Sequence, residues 1–355
     1  MNPAGGTSGL FALGRSCIIG VTGPIPRVQV GVMRRRHFTA SLGVLPLAPR
    51  AFAQGDDWPT RNVRIVCPFT PGGSQDNIAR RLGAKLQDYL GQTFVIDNRS
   101  GAGGSIAADN VAKSPPDGYS VLLGGIASHA VAPNLYGKLP YNPFTDLETA
   151  AWIGTQPNLL CCHPSFPHDT VPKLIAAAKK EPGKYQYGSS GVGASPSLTM
   201  ELFKQKTGAD LTLVSYRGAS AAAADVLAGH LPLCIANIDS LMGQVSAGKL
   251  KPIASTGAKR ATVAPDTPTL VETVPDLVVT SWSIWAVPAG TPAKIKDKLR
   301  IATERALKDP EVIASMRQGG FEPGATMPIA EVDAFIKVEH ARWGEVIRAA
   351  GIKPE

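Results

Sequence analysis

Three glycine-rich stretches hold most of the residues that could do chemistry: Pro71-Gly72-Gly73-Ser74-Gln75-Asp76, Ser100-Gly101-Ala102-Gly103-Gly104-Ser105 and Gly188-Ser189-Ser190-Gly191-Val192-Gly193-Ala194-Ser195. Each follows a short apolar run and opens a helical period, so each reads as a strand-to-helix turn. Helix N-termini at such turns offer unpaired N–H groups and a partial positive charge. That is worth about 0.3–1 kcal/mol per favourable charge when exposed and up to about 2 when partly buried. Glycine lets the main chain approach a ligand. The chemistry expected is capture of a carboxylate or phosphate by main chain, hydroxyls and water. Any one such loop also has a structural explanation, because turns use Gly and Ser for geometry and capping.

Catalytic readings fare worse. Gly101-Ala102-Gly103-Gly104-Ser105-Ile106 lacks the last glycine of a dinucleotide fingerprint, and no loop ends in the Lys-Ser/Thr of a P-loop. The glycines around Ser189 and Ser190 are misplaced for a nucleophile elbow. His129, His163, His168, His230 and His340 are scattered, with no H-E-x-x-H, and read as structural. Asp76 stands beside a helix start, where its ordinary role is to complement the dipole or cap. Cys67, Cys161, Cys162 and Cys234 lie in apolar, strand-like runs outside any C-x-x-C or zinc spacing, so neither metal nor cofactor is expected. Adjacent Cys161 and Cys162 would face opposite sides of a strand, whereas a Cys67–Cys234 pair stays open.

The elements that position these loops alternate strand and helix, which points to an α/β fold. Strands are expected at Val63 to Phe69, Phe94 to Asp97, Tyr119 to Leu123, Leu159 to Cys162, Tyr185 to Tyr187, Leu211 to Tyr216, Leu231 to Ala236 and Leu250 to Ala254. A further β run follows Pro275 and ends at Val287. Helical periods run from Ser74, with Ile78, Leu82 and Leu86 on one face, to Gly91. Others span Ile106 to Ala112, Thr170 to Lys180, Ala219 to Ala228, Ala293 to Leu307 and Ile329 to Ala349. Ser74 and Ser195 are expected to cap their helices, with Pro196 at the first turn. Trp282 and Trp285 alternate on a strand, as core or as a cleft wall.

The 355 residues suit two domains. The net charge of +8 is local in origin. Six of 36 basic residues (Arg15, Arg27, Arg34, Arg35, Arg36 and Arg50) precede Gln54, where there is no acid, leaving 30 basic against 28 acidic residues. A nucleic-acid partner is therefore not expected. From Met33 the chain reads as a signal peptide over 33–53: arginines, a mildly apolar stretch, then Ala51-Phe52-Ala53 as the cleavage site. Arg35-Arg36-His37-Phe38 fits twin-arginine export, general secretion stays open, and residues 1–32 read as an upstream extension. No later stretch has 18 consecutive apolar residues, so a periplasmic protein is expected.

Taken in order, Pro68-Phe69-Thr70-Pro71-Gly72-Gly73 with Asp76, Asn98-Arg99-Ser100-Gly101-Ala102-Gly103-Gly104, Pro116-Asp117-Gly118-Tyr119, Leu139-Pro140-Tyr141-Asn142-Pro143, Tyr216-Arg217-Gly218 and Ala286-Val287-Pro288-Ala289-Gly290-Thr291-Pro292 resemble the solute receptors of tripartite tricarboxylate transporters, the Bug family. The resemblance spans residue 58 to the end. It implies a two-lobe, Venus-flytrap periplasmic binding protein with mixed sheets flanked by helices. Lobe 1 would take 58–154 and 273–355, and lobe 2 155–272. It implies a carboxylate ligand (di- or tricarboxylate, acidic amino acid or aromatic acid) held by Phe69, Pro71, Gly72, Gly73, Ser74 and Asp76 on one side and by Ser189, Ser190, Gly193, Ala194 and Ser195 on the other. Ser128, His129, Tyr216 and Arg217 would face the distal end.

The function expected is a monomeric receptor with no catalytic residue, handing a carboxylate to membrane permease subunits. Two alternatives remain: a receptor presenting its ligand state to a periplasmic sensor domain, and a hydrolase using Ser189 or Ser190. The latter needs a base that no motif supplies.

Overall fold

The computed structural model describes residues 57–354, together with Gly23. The expected extension, the twin-arginine segment and the cleavage site at Ala53 lie outside the described residues. The chain opens with β1 (Val63–Cys67), α1 (Ser74–Leu90), β2 (Phe94–Asn98), α2 (Ser105–Ala112) and β3 (Ser120–Gly125). A π turn at Ala127–Val131 and the one-turn α3 (Ala132–Leu135) lead to β4 (Leu147–Cys162). Then come α4 (Val171–Lys180), β5 (Tyr185–Ser189), α5 (Ser195–Thr207), β6 (Leu211–Ser215), α6 (Ala219–Leu227), β7 (Leu233–Asn237), α7 (Ile238–Ser246) and β8 (Lys251–Ser255). β9 (Thr280–Pro288), α8 (Ala293–Lys308), α9 (Pro310–Gln318), β10 (Glu322–Pro323) and α10 (Ile329–Ala350) complete it.

The strands run in the order β2-β1-β3-β9-β4-β7-β5-β6, with β8 and β10 pairing β4. β1 is parallel to both β2 and β3, as an apolar run buried on two faces should be. β9 runs antiparallel between β3 and β4. Two mixed sheets result, each the centre of one lobe, and β4 belongs to both. Its first part, Leu147 to Pro157, pairs β9, while Asn158 to Cys162 pairs β7 and β8.

Helices cover both faces of each sheet. Ile78, Leu82 and Leu86 of α1 meet Leu299 and Ala306 of α8 under Ile65, Leu123 and Trp285. The opposite face packs Ala107 and Val111 of α2 and Ile336 and Trp343 of α10 against Leu122 and Ile284. In the second sheet, α6 and α7 cover Cys161 and Cys234, while Leu174 of α4 and Phe203 of α5 share the larger core with Cys162. Cys161 and Cys162 thus face opposite sides, as alternation requires. All four described cysteines are free thiols, and Cys67 and Cys234 sit in different cores, which removes the open pairing. Trp282 and Trp285 are both buried, 1% and 0% exposed, and Trp282 is also among the residues of a cleft wall.

Three expectations are corrected. β4 begins at Leu147, twelve residues before the expected Leu159. Glu148, Thr149, Trp152 and Gln156 break the apolar run because that part is flanked by β9 and β10. Helices α7 and α9 were not expected, since each is nine residues long and buries only two side chains. Neither Ser74 nor Ser195 caps: the N-cap positions are the extended residues Gly73 and Ala194, and neither helix has a side-chain cap.

β10 crosses β4 at Gly154, whose φ of 146° is open to glycine. A Cβ there would meet the Glu322 carbonyl and lie 2.7 Å from the Gly324 amide. Gly154→Ala should therefore destabilise the protein by about 1–3 kcal/mol, read as a fall of several degrees in the melting temperature by circular dichroism. An unchanged melt would mean that β10 does not cross there.

Candidate functional site

A cleft opens where the C-terminal ends of β1, β3, β5 and β7 face one another between the sheets, the usual place for ligands in open α/β folds. Its deep part is lined by Phe69, Thr70, Gly73, Ser74, Gln75 and Gly124 to Ser128 from one lobe, and by Ser190, Ala194, Ser195, Arg217, Gly218, Asn237 and Ser240 from the other. The mouth continues past Ser100 to Gly104, Tyr136, Gly193 and Tyr216. The two lobes meet here. A Cβ on Gly193 would lie 3.5 Å from the Gly103 Cα, and one on Gly218 3.4 Å from the Thr70 hydroxyl.

Four helices begin at this cleft. Their N-cap residues are Gly73 (α1), Ala194 (α5), Gly218 (α6) and Asn237 (α7), and none accepts a first-turn amide on its side chain. The first-turn N–H groups are thus left to solvent or ligand. The hydroxyls that could have capped are engaged elsewhere. Ser74 Oγ accepts from Gln156 Nε2, and Ser195 Oγ accepts from Asn158 Nδ2 at 3.0 Å. Both amides come from β4. Asn158 Nδ2 also donates to Thr199 Oγ1 at 3.0 Å. From β9, the Ser281 hydroxyl donates to Asn237 Oδ1 at 2.8 Å, and Ser283 Oγ accepts from Gln75 Nε2 at 3.1 Å. The starts of α1, α5 and α7 are therefore tied by buried side chains to β4, which runs through both sheets, and to its neighbour β9.

The charge pattern is simple. Among the described residues lining the deep cleft and its mouth there is no Asp, Glu, Lys or His, and Arg217 is the one charged side chain. Arg217 is exposed, and no hydrogen bond or ion pair ties its guanidinium to another described residue. Beside it, the Tyr216 hydroxyl donates to Asp225; burial, and then that carboxylate, push the Tyr216 pKa up to about 12. With four helix starts at roughly half a positive charge each, the field suits an anion.

Of the residues named from sequence, Phe69, Gly73, Ser74, Ser128, Ser190, Gly193, Ala194, Ser195, Tyr216 and Arg217 line the cleft or its mouth. Pro71, Gly72, Asp76, His129 and Ser189 do not. Asp76 is 1% exposed and points back into its own loop. Its carboxylate accepts from the Gly72 amide (2.9 Å), Arg80 Nε (2.8 Å) and Asn98 Nδ2 (3.0 Å). Burial alone would raise its pKa, but these three donors outweigh it and hold the group below the usual carboxylate value. His129 points away from the cleft, against Trp282 and the cavity lined by Phe144 and Glu148. Burial lowers its pKa to about 4. Ser189 is wholly buried at the end of β5 and its hydroxyl has no partner. Ser190 lines a cleft with no described basic side chain but Arg217, so the hydrolase alternative lacks a general base. Sequence reasoning missed Thr70, Gln75, Gly124 to Ala127, Asn237 and Ser240, together with the supporting Gln156 and Asn158. Their signal was present as polar Gln156 and Asn158 set against the apolar run Leu159 to Cys162.

Comparison with known proteins bears on the same region. A family model described as a tripartite tricarboxylate transporter family receptor matches residues 78–352. The chain is 34% identical to Protein BugT of Bordetella pertussis over 318 residues, 89% of this chain and 96% of that protein. Among solved structures, R. palustris Rpa4515 with adipate aligns with a TM-score of 0.80 and 38% identity, covering 84% of this chain and 100% of that one. MatC from Rhodopseudomonas palustris with bound malate aligns at 0.76 and 28% identity, covering 82% and 100%.

The Asp76 cluster fixes the first glycine loop, so its loss should be felt in stability. Asp76→Asn should cost about 2 kcal/mol at pH 7, the scale of hydrogen bonds to a charged group. Because the folded-state pKa is depressed, the stabilisation is present above the unfolded value near 4 and lost as pH falls below it. Urea melts of the two proteins should therefore converge towards pH 3, and a constant gap would mean that the carboxylate charge contributes nothing.

Proposed function

The chain belongs to the tripartite tricarboxylate transporter receptor family, and on that premise we propose that its cleft captures a small carboxylate and delivers it to the membrane permease subunits of a tripartite transporter. Family members are periplasmic solute-binding receptors and not enzymes. No helix among the described residues is long and apolar enough to cross a membrane. The observation that carries the reading is the convergence of four uncapped helix starts on a cleft whose described lining has no acidic side chain and one unpaired arginine. Main-chain N–H groups at helix starts bind carboxylate oxygens without a salt bridge. The adipate and malate held by the two R. palustris proteins supply the chemical precedent.

In this reading, 58–154 with 273–355 and 155–272 are the two bodies that close on the ligand, β4 and the segment at 272–273 ahead of β9 are the crossings, and residues 33–53 direct export. Ser74 and Ser195 with their neighbouring amides hold one carboxylate, and Arg217 at the mouth meets the other end. Ligand binding then favours the closed form in proportion to its differential affinity for that form.

A thermal-shift screen of residues 54–355 against adipate, malate, succinate, citrate, glutamate, aspartate and nicotinate tests this. A ligand at a hundred times its Kd should add about 2.7 kcal/mol, a shift of a few degrees or more. The acid should be recovered unchanged. Arg217→Ala should weaken a dicarboxylate by about tenfold, while leaving the unliganded melting temperature within about 1 °C, as for an exposed side chain. Folded protein that responds to no acid would overturn the carboxylate reading.

Gly193 separates closure from contact with the ligand. It has no positive φ, so side chains are allowed, but a Cβ would already touch Gly103, Leu135 and Val131 at 3.5–3.8 Å. Gly193→Ala should bind as the native protein does. Gly193→Val forces extra methyl groups between the lobes and should weaken binding about tenfold or more, at about 1–3 kcal/mol for overpacking. Equal affinities would mean that the bound form is more open than this one.

A further inference from the structure

The side chains that wall the deep cleft differ in what they have left to offer a ligand, and most of the polar ones are already bonded within the protein. Ser74 and Ser195 accept from Gln156 and Asn158, and Gln75 bonds to Ser283. The Ser128 hydroxyl lies between the Gly125 backbone and His129 Nδ1, 2.9 Å from the latter. Ser281 donates to Asn237 Oδ1, Ser240 donates to Asp239 at 3.3 Å, and Trp282 Nε1 donates to Glu339 of α10 at 3.2 Å. Thr70, Ser190 and Arg217 are the polar lining side chains with no hydrogen bond to another described residue. All three line both the deep part and the mouth, so they stand where the two join.

The groups that remain free are donors. First-turn N–H groups of α1, α5, α6 and α7 reach the cleft beside the Arg217 guanidinium, and the described lining holds no Asp or Glu. Carbonyl oxygens near the helix starts are engaged: Phe69 accepts from Asn98 Nδ2, Thr70 from the Gly73 amide, Gly125 from the Ser128 hydroxyl and Ser195 from Thr199 Oγ1. Much of the remaining wall is carbon, from Pro68, Phe69, Ile126 and Ala127 on one side and Pro196 and Ala219 on the other.

We infer that the cleft selects carboxylates whose body is plain hydrocarbon and discriminates against 2-hydroxy and, above all, 2-amino acids. This deepens the carboxylate-receptor reading and rests on it. A carboxylate brings acceptors only, which match the donors. An ammonium group brings three donors and a full positive charge to a place already rich in both, and it loses water without gaining a carboxylate partner. Turning such a ligand end for end moves its ammonium beside Arg217, which is no better. A hydroxyl carries no charge and can be met by Thr70 or Ser190 at the junction, so its penalty is smaller; an apolar site rejects an added hydroxyl by about a hundredfold at most. A methyl group on the same carbon is as bulky as either and asks for no partner, so against these walls it costs little.

That comparison is the test. Calorimetry on residues 54–355 at pH 7 with succinate, glutarate and adipate fixes the chain length that binds, and the 2-methyl, 2-hydroxy and 2-amino forms of that acid are then measured. The 2-methyl acid should bind within about threefold of its parent, the 2-hydroxy acid about three- to tenfold more weakly, and the 2-amino acid about a hundredfold more weakly, as an unpartnered charge requires. The readout is an order of affinities in the native protein, so it needs no variant that might fail to fold. A 2-methyl acid as weak as the 2-amino acid would mean that the cleft is merely narrow, and overturns the inference. Aspartate, glutamate, malate or citrate as the tightest ligand also overturns it, and leaves the carboxylate reading standing. Folded protein that binds no acid of any length or substitution removes both.

Discussion

The rest of the structure depends on a short polar seam buried in β4, which runs through both sheets, and in its neighbour β9. Gln156 and Asn158 of β4 and Ser281 and Ser283 of β9 are each 4% exposed or less, and each bonds to a residue at the start of a helix. A single hydrogen bond of this kind adds only about 0.5–1.5 kcal/mol net, but a buried polar group left without a partner costs about 1–3. The seam is therefore strict about geometry. The helix starts and the joining strands must keep their mutual positions, or several buried groups lose their partners together. The first turns of α1, α5 and α7 are fixed to those strands.

That constraint also explains why the helix starts remain open. A serine at the N-cap would satisfy its own helix and leave less for a ligand. Here Ser74 and Ser195 sit one position later, with their hydroxyls drawn back by Gln156 and Asn158, while Gly73 and Ala194 occupy the cap positions. The donors left free are main-chain amides, whose direction is set by the helix and not by a rotamer. A site of this kind needs little ordering when a ligand arrives, which keeps the entropic cost of binding low.

How much of this was legible in the sequence follows from what each element depends on. β1, α1 and the three glycine loops are local: apolar runs, a 3.6-residue period and Gly91 in a left-handed stop at φ 73°. They appear where the pattern places them. The length of β4 is not local, because Leu147 to Pro157 is a strand only through its pairing with β9, more than a hundred residues later. Side-chain direction was equally out of reach. Asp76 and Ser74 are two residues apart on one helical turn, and one turns back to Arg80 while the other faces the cleft. Ser128 and His129 are adjacent, yet the π turn sends the serine to the cleft and the imidazole into the core beside Trp282. Motif order identified the loops, and only tertiary packing could say which residue of each loop meets a ligand.

The choice of neutral side chains for the seam has an electrostatic logic. Had lysine or arginine tied the helix starts to β4 and β9, the cleft would carry full charges in a region of low effective dielectric. An anion held there would be bound tightly, at the expense of release. Had carboxylates done so, they would have cancelled the helix dipoles. Amides and hydroxyls hold the geometry and leave the partial charges of the helix starts as the main field, with Arg217 at the solvent edge, where its charge is screened. A binding protein that must also release its ligand needs attraction strong enough to hold it and weak enough to let it go. Partial charges fixed by a neutral seam provide that balance.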